Sequence, residues 1–141
     1  MRKRVFLIAL VVAVAGAMVF GGTALAGKPS LRTTVTAQLE SPGGTPHGTA
    51  LLHLYPTKNK ICYRLDVDNT VQPGTAAHLH RGSMDETTQG QPVLNLRALN
   101  SGECIRGLGE RFIRNIKRHH GNYYVDVHTS NPDDLRGQLS K

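Results

Sequence analysis

Alternation of apolar and polar residues is the feature of this sequence that most limits its fold. Between Ile61 and Asp68 every second residue is apolar, and the residues between them are polar or cysteine. Because side chains that alternate in this way point to opposite faces of a strand, this segment is predicted to be a half-buried β-strand. Shorter strands are predicted, between glycine and proline residues, at Thr34–Leu39, Thr49–Tyr55, Ala76–Arg81, Pro92–Leu96, Tyr123–Thr129 and Leu135–Ser140. A helix is predicted only for Glu110–Arg118, so the chain is expected to be all-β, a sandwich or a barrel.

The N-terminus has the pattern of an export signal. Three basic residues precede an apolar run from Val5 to Phe20, and Ala24-Leu25-Ala26 matches the small-x-small site of signal peptidase. Residues 1–26 are therefore predicted to be a signal peptide, and residues 27–141 a single β domain that is secreted or periplasmic. The alternative is an uncleaved membrane anchor, because the run counted through Ala26 is just long enough for the ~20 residues that span a bilayer.

The net charge argues against a nucleic-acid partner. The whole chain has a formal charge of +7, which falls to +4 (14 basic against 10 acidic side chains) when Arg2, Lys3 and Arg4 are removed with the signal. Many of the remaining basic residues lie in Glu110–Arg118, where such a run is typical of a solvated helix face. The expected partners are an extracellular protein, a polysaccharide or a metal ion, with contact to a membrane only through the signal.

The two cysteines, Cys62 and Cys104, are predicted to form a disulfide. An exported protein matures in an oxidising compartment, and two cysteines allow one internal pairing. The bridge would close a loop of about 42 residues and stabilise the fold by roughly 3–4 kcal/mol. Two free thiols or two thiolate metal ligands are the alternatives, which this compartment disfavours. Because Cys62 lies on the polar side of its strand, the bridge is expected outside the sheet or on the loop that contains Cys104.

Two short segments contain the candidate site. His78 and His80 lie two residues apart in a predicted strand, so their side chains share a face with Cα atoms ~6.6 Å apart. Asp126 and His128 have the same spacing in a second predicted strand. If the strands are neighbours, three imidazoles converge in a set that suits zinc or copper, with Asp126 as a further ligand or as a partner of one. The competing interpretation is that these are polar residues of a solvent-facing strand, or that they bond to the backbone and fix a loop.

Motifs of common enzymes are absent from the sequence. It contains no phosphate-binding glycine loop, no Gly-x-Ser-x-Gly segment and no Cys-x-x-Cys pair. No catalytic residue and no organic cofactor are therefore predicted.

Three segments resemble the chordin-type (CHRD) domain. They are Ala77–Gly82 followed by Gly90–Val93, then Gly121–Thr129, then Arg136–Leu139. The family pattern is approximately Ala-His-Ile-His-x-Gly, Gly-Pro-Val, and a closing Tyr-Val-Asn-Val-His-Thr with Arg-Gly-Gln-Leu, and the resemblance extends from about Thr33 to Leu139. The sequence departs from that pattern in a few places: Leu79 replaces Ile, Gln91 separates Gly90 from Pro92, Asp126 replaces Asn, and 132–135 lack the usual Gly.

The resemblance implies a secreted β domain of Greek-key type, similar to an immunoglobulin domain or to superoxide dismutase. It implies no biochemical activity, since microbial members of the family have none assigned. The first functional prediction is therefore a non-enzymatic binding or structural module of the cell exterior or envelope, with an unknown ligand. The second is a copper- or zinc-binding protein that uses His78, His80 and His128. The third is a metal-dependent redox enzyme, because His-x-His with a later His is similar to the copper site of superoxide dismutase.

The closing segment contains two polar residues that are predicted to be structural. Arg136 alternates with Leu135 and is expected to reach a carboxylate, either Asp126 or Asp66. An arginine–carboxylate pair would hold neighbouring strands together. Gln138 lies on the same side of the predicted strand and is assigned the same structural role.

Overall fold

The computed structural model describes residues 32–68, 76–85, 89–96, 102–129 and 134–141. The predicted signal peptide, the predicted turn at Pro73-Gly74 and residues 130–133 of the predicted last turn lie outside these ranges. Within the described residues, no helix has the length and apolar character needed to cross a membrane.

Eight strands and one α-helix make up the described part of the chain. In chain order they are β1 (Thr33–Glu40), β2 (Pro46–Tyr55), β3 (Lys60–Val67), β4 (Ala76–Arg81), β5 (Pro92–Leu96), β6 (Gly102–Arg106), α1 (Glu110–Arg118), β7 (Tyr123–His128) and β8 (Leu135–Gln138). Single turns of 3₁₀ helix at Pro56–Lys58 and His120–Asn122 follow β2 and α1. The predicted all-β class with one short helix is confirmed.

All eight strands belong to one curled antiparallel sheet, in the order β5-β4-β7-β8-β1-β2-β3-β6. The first strand lies between β2 and β8, with Glu40 of β1 opposite Arg136 of β8. The pairs β4–β7 and β3–β6 join segments that are far apart in the sequence. The topology therefore brings together residues whose proximity no short sequence window predicts.

Alternate residues of the strands form the core. On β1, the buried residues are Val35, Ala37 and Leu39, and on each neighbouring strand the apolar side is buried in the same way. The helix α1 adds Ile113 and Ile116, which are fully buried against the sheet, while Phe112 is half-buried. The helix also contacts the 3₁₀ turn Pro56–Lys58. The side of the helix that faces solvent contains the exposed residues Arg111, Arg114 and Arg118.

The predicted disulfide is present, but its second cysteine lies on a strand and not on a loop. Cys104 belongs to β6 and lies directly opposite Cys62 of β3, with their Cα atoms 3.9 Å apart. The prediction of a loop here was wrong because β6 is an edge strand whose residues are mostly exposed. Backbone pairing with β3 and the disulfide hold this strand, so it needs no apolar alternation.

Candidate functional site

Three neighbouring strands present polar side chains on the face of the sheet that is turned away from the core. Pairing of β4, β7 and β8 places His78 opposite Asp126, and Asp126 opposite Arg136. Because residues paired across an antiparallel sheet point to the same face, these three residues form one row. Asp126 therefore lies at the middle of the row, between a histidine and an arginine.

Two further rows flank the central one. On one side His80 pairs with Tyr124, and Tyr124 pairs with Gln138. On the other side His128, the last residue of β7, bonds to Asp134, which immediately precedes β8. The pairing of β4 with β7 thus brings together the four residues of the predicted metal site: His78, His80, Asp126 and His128.

The connection between β4 and β5 contacts this polar face. The backbone N–H of Gly90 donates to the Tyr124 hydroxyl at 3.0 Å, and the Gly90 carbonyl oxygen lies 2.6 Å from Nδ1 of His80. His80 is consequently only 3% exposed, and Asp126 is fully buried. The interpretation of these two residues as part of a solvent-facing strand is therefore wrong. The other structural interpretation was that these histidines bond to the backbone and fix a loop. It holds for Nδ1 of His80, which bonds to the Gly90 carbonyl.

The contacts of His80 determine which of its ring nitrogens carries a hydrogen. The Gly90 carbonyl is only an acceptor, so Nδ1 donates to it, and in a neutral ring Nε2 then has a lone pair. Nε2 is buried, has no hydrogen-bond partner in the described part of the chain, and lies 3.8 Å from Oδ2 of Asp126. With a neutral ring and an ionised Asp126, two hydrogen-bond acceptors would therefore face each other in the interior.

Asp126 is buried without a hydrogen bond to either oxygen among the described residues. Nε of Arg136 lies 3.6 Å from Oδ1, which is beyond hydrogen-bonding distance. Burial raises the pKa of Asp126 above its ordinary value, although the charges of Arg136 and His128 act to lower it. Of the two carboxylates considered for Arg136, the structure places Asp126 beside it, whereas Asp66 pairs with Arg64.

His128 links a second carboxylate to the central row. Its Nδ1 donates to Oδ2 of Asp134 at 2.9 Å, so the lone pair of a neutral His128 lies on Nε2. That nitrogen is 3.1 Å from Nδ1 of His78. Burial, followed by the charges of His128 and His80, lowers the pKa of His78, so this ring favours its neutral, metal-competent form. The ring centroid of His78 lies 5.1 Å from that of His128 and 5.7 Å from that of His80.

Asp134 is the residue of this cluster that sequence reasoning missed. Ligand atoms of Asp126, His128 and Asp134 all lie within 4.8 Å of one another. From the sequence, Asp134 was predicted to lie in a turn. The one indication of its proximity to His128 was its position directly before the predicted last strand. Across the β7–β8 pair, that position continues the register from Val127–Leu135 to His128 and Asp134.

Gln138 has a structural role that the hydrogen bonds define. Its Nε2 donates to the carbonyl oxygens of Tyr123 at 2.7 Å and Gly121 at 3.0 Å. Its Oε1 accepts the backbone N–H of Met84 at 2.9 Å. One amide thus joins β8 to the start of β7 and to the connection that contacts the polar face.

The chain as a whole can be placed by comparison with known proteins. The model of the CHRD domain family matches residues 31–139, which is most of the chain. No curated protein and no solved structure gives a significant match. The match includes all the strands described above and every residue of the polar cluster. The chain therefore belongs to the CHRD domain family.

Proposed function

We propose that this chain is a non-enzymatic extracellular binding module whose ligand is a zinc or copper ion. Its core ligands are Asp126, His128 and Asp134, whose ligand atoms lie within 4.8 Å of one another, and His78 and His80 are the neighbouring imidazoles that would complete the set. The proposal combines two predictions made from the sequence: a binding module with an unknown ligand, and a protein that binds copper or zinc. Imidazole and carboxylate groups together form a donor set that both metals accept.

The observation that carries the proposal is the pair of opposed acceptors inside the protein. The lone pair of His80 Nε2 faces the carboxylate of Asp126 at 3.8 Å, and neither atom has a partner in the part of the chain that the structure describes. A gap of this length is too long for a shared proton. Two metal–ligand bonds of about 2.0–2.2 Å can join atoms that are up to about 4 Å apart, so one ion could bridge this distance. A buried arrangement that is unfavourable without a cation is therefore explained by binding one.

The contact between His128 and Asp134 supports the same assignment. A metal-binding histidine commonly donates its other ring nitrogen to a carboxylate, which fixes the ring and raises its basicity. Here Nδ1 of His128 donates to Asp134, and Nε2 accepts a hydrogen bond from Nδ1 of His78 at 3.1 Å, which a bound ion would replace. Asp134 is accordingly assigned the role of orienting His128, in addition to its place among the core ligands.

Export of the protein is part of the proposal. A disulfide joins Cys62 to Cys104, and such bonds persist in oxidising compartments outside the cytosol. CHRD domains are extracellular modules, which agrees with the signal predicted for residues 1–26. The superoxide dismutase activity of the third prediction is tested by assaying the copper-loaded protein for superoxide consumption.

Calorimetric titration with ZnCl₂ and CuCl₂ tests the metal site. After treatment with chelator, the protein should bind one ion per chain. The variant His78→Ala/His128→Ala should bind at least about 100-fold more weakly, since it lacks two ligands, and Asp134→Asn about 10–100-fold more weakly. The control His53→Ala/His119→Ala removes two imidazoles outside the cluster and should bind as the wild type does. Equal affinity of the two double variants would show that the cluster is not a metal site.

A further inference from the structure

Three arginines lie along the exposed side of α1. Arg111, Arg114 and Arg118 follow one another at spacings of three and four residues, which places them on one face of a helix. They border a shallow groove of about 970 Å³, to which Phe112 contributes an apolar part. From the ~1.5 Å rise per residue, the arginines extend over ~10 Å along the helix. The sequence had indicated a solvated face here, and the structure adds a shallow, open depression along it.

A second depression continues the groove beyond the helix. It has a volume of about 200 Å³ and is lined by Arg81, Asn115, His119, Asn122 and Tyr123. Asn115 lines both depressions, so together they form one surface, which we call the arginine trough. The trough shares no residue with the histidine–aspartate cluster.

The charge of the arginine trough is strongly unbalanced. Its two parts contain four arginines and one acidic residue, Glu110. Glu110 bonds to Arg114, with Oε1 2.7 Å from Nε, and so offsets the charge of that arginine. Among the described residues of the lining, Arg111, Arg118 and Arg81 have no acidic counterpart, so this surface is complementary to an anionic ligand.

We infer that the arginine trough binds a linear acidic polysaccharide that carries carboxylate groups. Guanidinium groups bind carboxylates through paired hydrogen bonds. The row of arginines on α1 matches a ligand whose anionic groups recur along an extended chain. The amides of Asn115 and Asn122 can bond to sugar hydroxyls, and Phe112 offers an apolar surface to a sugar ring. This inference is independent of the proposed metal site.

A membrane surface fits the arginine trough less well. A helix that lies on a bilayer inserts a broad apolar side between the lipid headgroups. The apolar side of α1 is already buried, because Ile113 and Ile116 belong to the core and Phe112 is half-covered. Apart from the half-covered Phe112, the exposed side of α1 therefore has no broad apolar surface to insert.

Binding to polygalacturonate, measured by biolayer interferometry at moderate ionic strength, tests the inference. We expect the variant Arg111→Gln/Arg118→Gln to bind about tenfold more weakly than the wild type, since two charge-assisted contacts are lost. The control Arg64→Gln/Lys141→Gln removes the same net charge from exposed residues outside the trough and should retain the wild-type affinity. Circular dichroism of both variants verifies that they fold.

Two further probes, a neutral polysaccharide and lipid vesicles, distinguish binding of an acidic polysaccharide from binding of sugars in general or of a membrane surface. Neutral dextran should not bind, and vesicles of phosphatidylglycerol and phosphatidylcholine should bind weakly and equally in both variants. If both variants lose the same affinity for polygalacturonate, binding follows net charge alone and the inference is overturned. It is also overturned if the wild type binds only vesicles, or if Arg111→Gln/Arg118→Gln binds polygalacturonate unchanged.

Discussion

Replacing Asp126 by asparagine should stabilise the metal-free protein. The carboxylate is fully buried, has no hydrogen bond among the described residues, and faces the lone pair of His80. A buried polar group without a partner costs about 1–3 kcal/mol, and a charged one costs more. Asparagine keeps the shape of the side chain and removes the buried charge. We therefore expect the free energy of unfolding of Asp126→Asn to rise by about 1–3 kcal/mol at pH 7, after allowing for the lost attraction to Arg136.

The direction of the pH dependence follows from the raised pKa of Asp126. A carboxyl whose pKa rises on folding contributes stability below its unfolded value, here 3.8, and that contribution is lost as the pH rises through the folded-state pKa. The asparagine variant has no such group. Its advantage over the wild type should therefore be small near pH 4 and grow toward neutral pH. Saturating zinc or copper should reverse the order, because the ion stabilises only the protein that keeps the carboxylate ligand.

Thermal unfolding followed by circular dichroism, in chelator and between pH 4 and pH 8, measures both effects. The expected rise in Tm at pH 7 is roughly 4–12 °C. The matched control is Asp66→Asn, which removes an exposed carboxylate paired with Arg64 and should change Tm only slightly. A lower Tm for Asp126→Asn at pH 7, or an advantage that does not change with pH, would refute the argument.

Two more changes test features of the fold. The double change Cys62→Ser/Cys104→Ser should lower the free energy of unfolding by roughly 3–4 kcal/mol in urea denaturation, and reduction of the wild type should have the same effect. Gly137→Ala should lower it by about 1–3 kcal/mol, because the added Cβ would lie 2.3 Å from the carbonyl oxygen of Gln38. Gly121→Ala, whose Cβ would have no atom within 4 Å, is its control, and equal losses in these two alanine variants would contradict the steric explanation.

The strands were predictable where apolar alternation and burial agree. The segment Lys60–Val67 shows this most clearly, because its apolar residues all face the core side of one strand. The bounds of β4, β5 and α1 match the predicted ones for the same reason. The edge strand β6 was not predicted, because backbone pairing and a disulfide hold it in place and leave no pattern in its side chains.

The candidate site was predictable only in part. The spacing of His78 and His80 places them on one face, and the same holds for Asp126 and His128, since side chains alternate along a strand. That the two strands are neighbours follows from the crossover topology, which no local pattern encodes. The burial of His80 depends on a connection fixed through the backbone of Gly90. A Cβ at Gly90 would lie 2.0 Å from the carbonyl oxygen of Arg81, so the position requires glycine, but a single glycine in a sequence does not show which residues its backbone contacts.

The position of the first strand has a consequence for the order of folding. Strand β1 lies in the interior of the sheet, and Thr36 exchanges backbone hydrogen bonds with Ser140, the penultimate residue of the chain. This edge of β1 therefore finds its partner only when a segment 104 residues further along the chain is in place. Contacts of such large sequence separation form slowly, so the sheet closes on this side of β1 later than on the side of its neighbour β2.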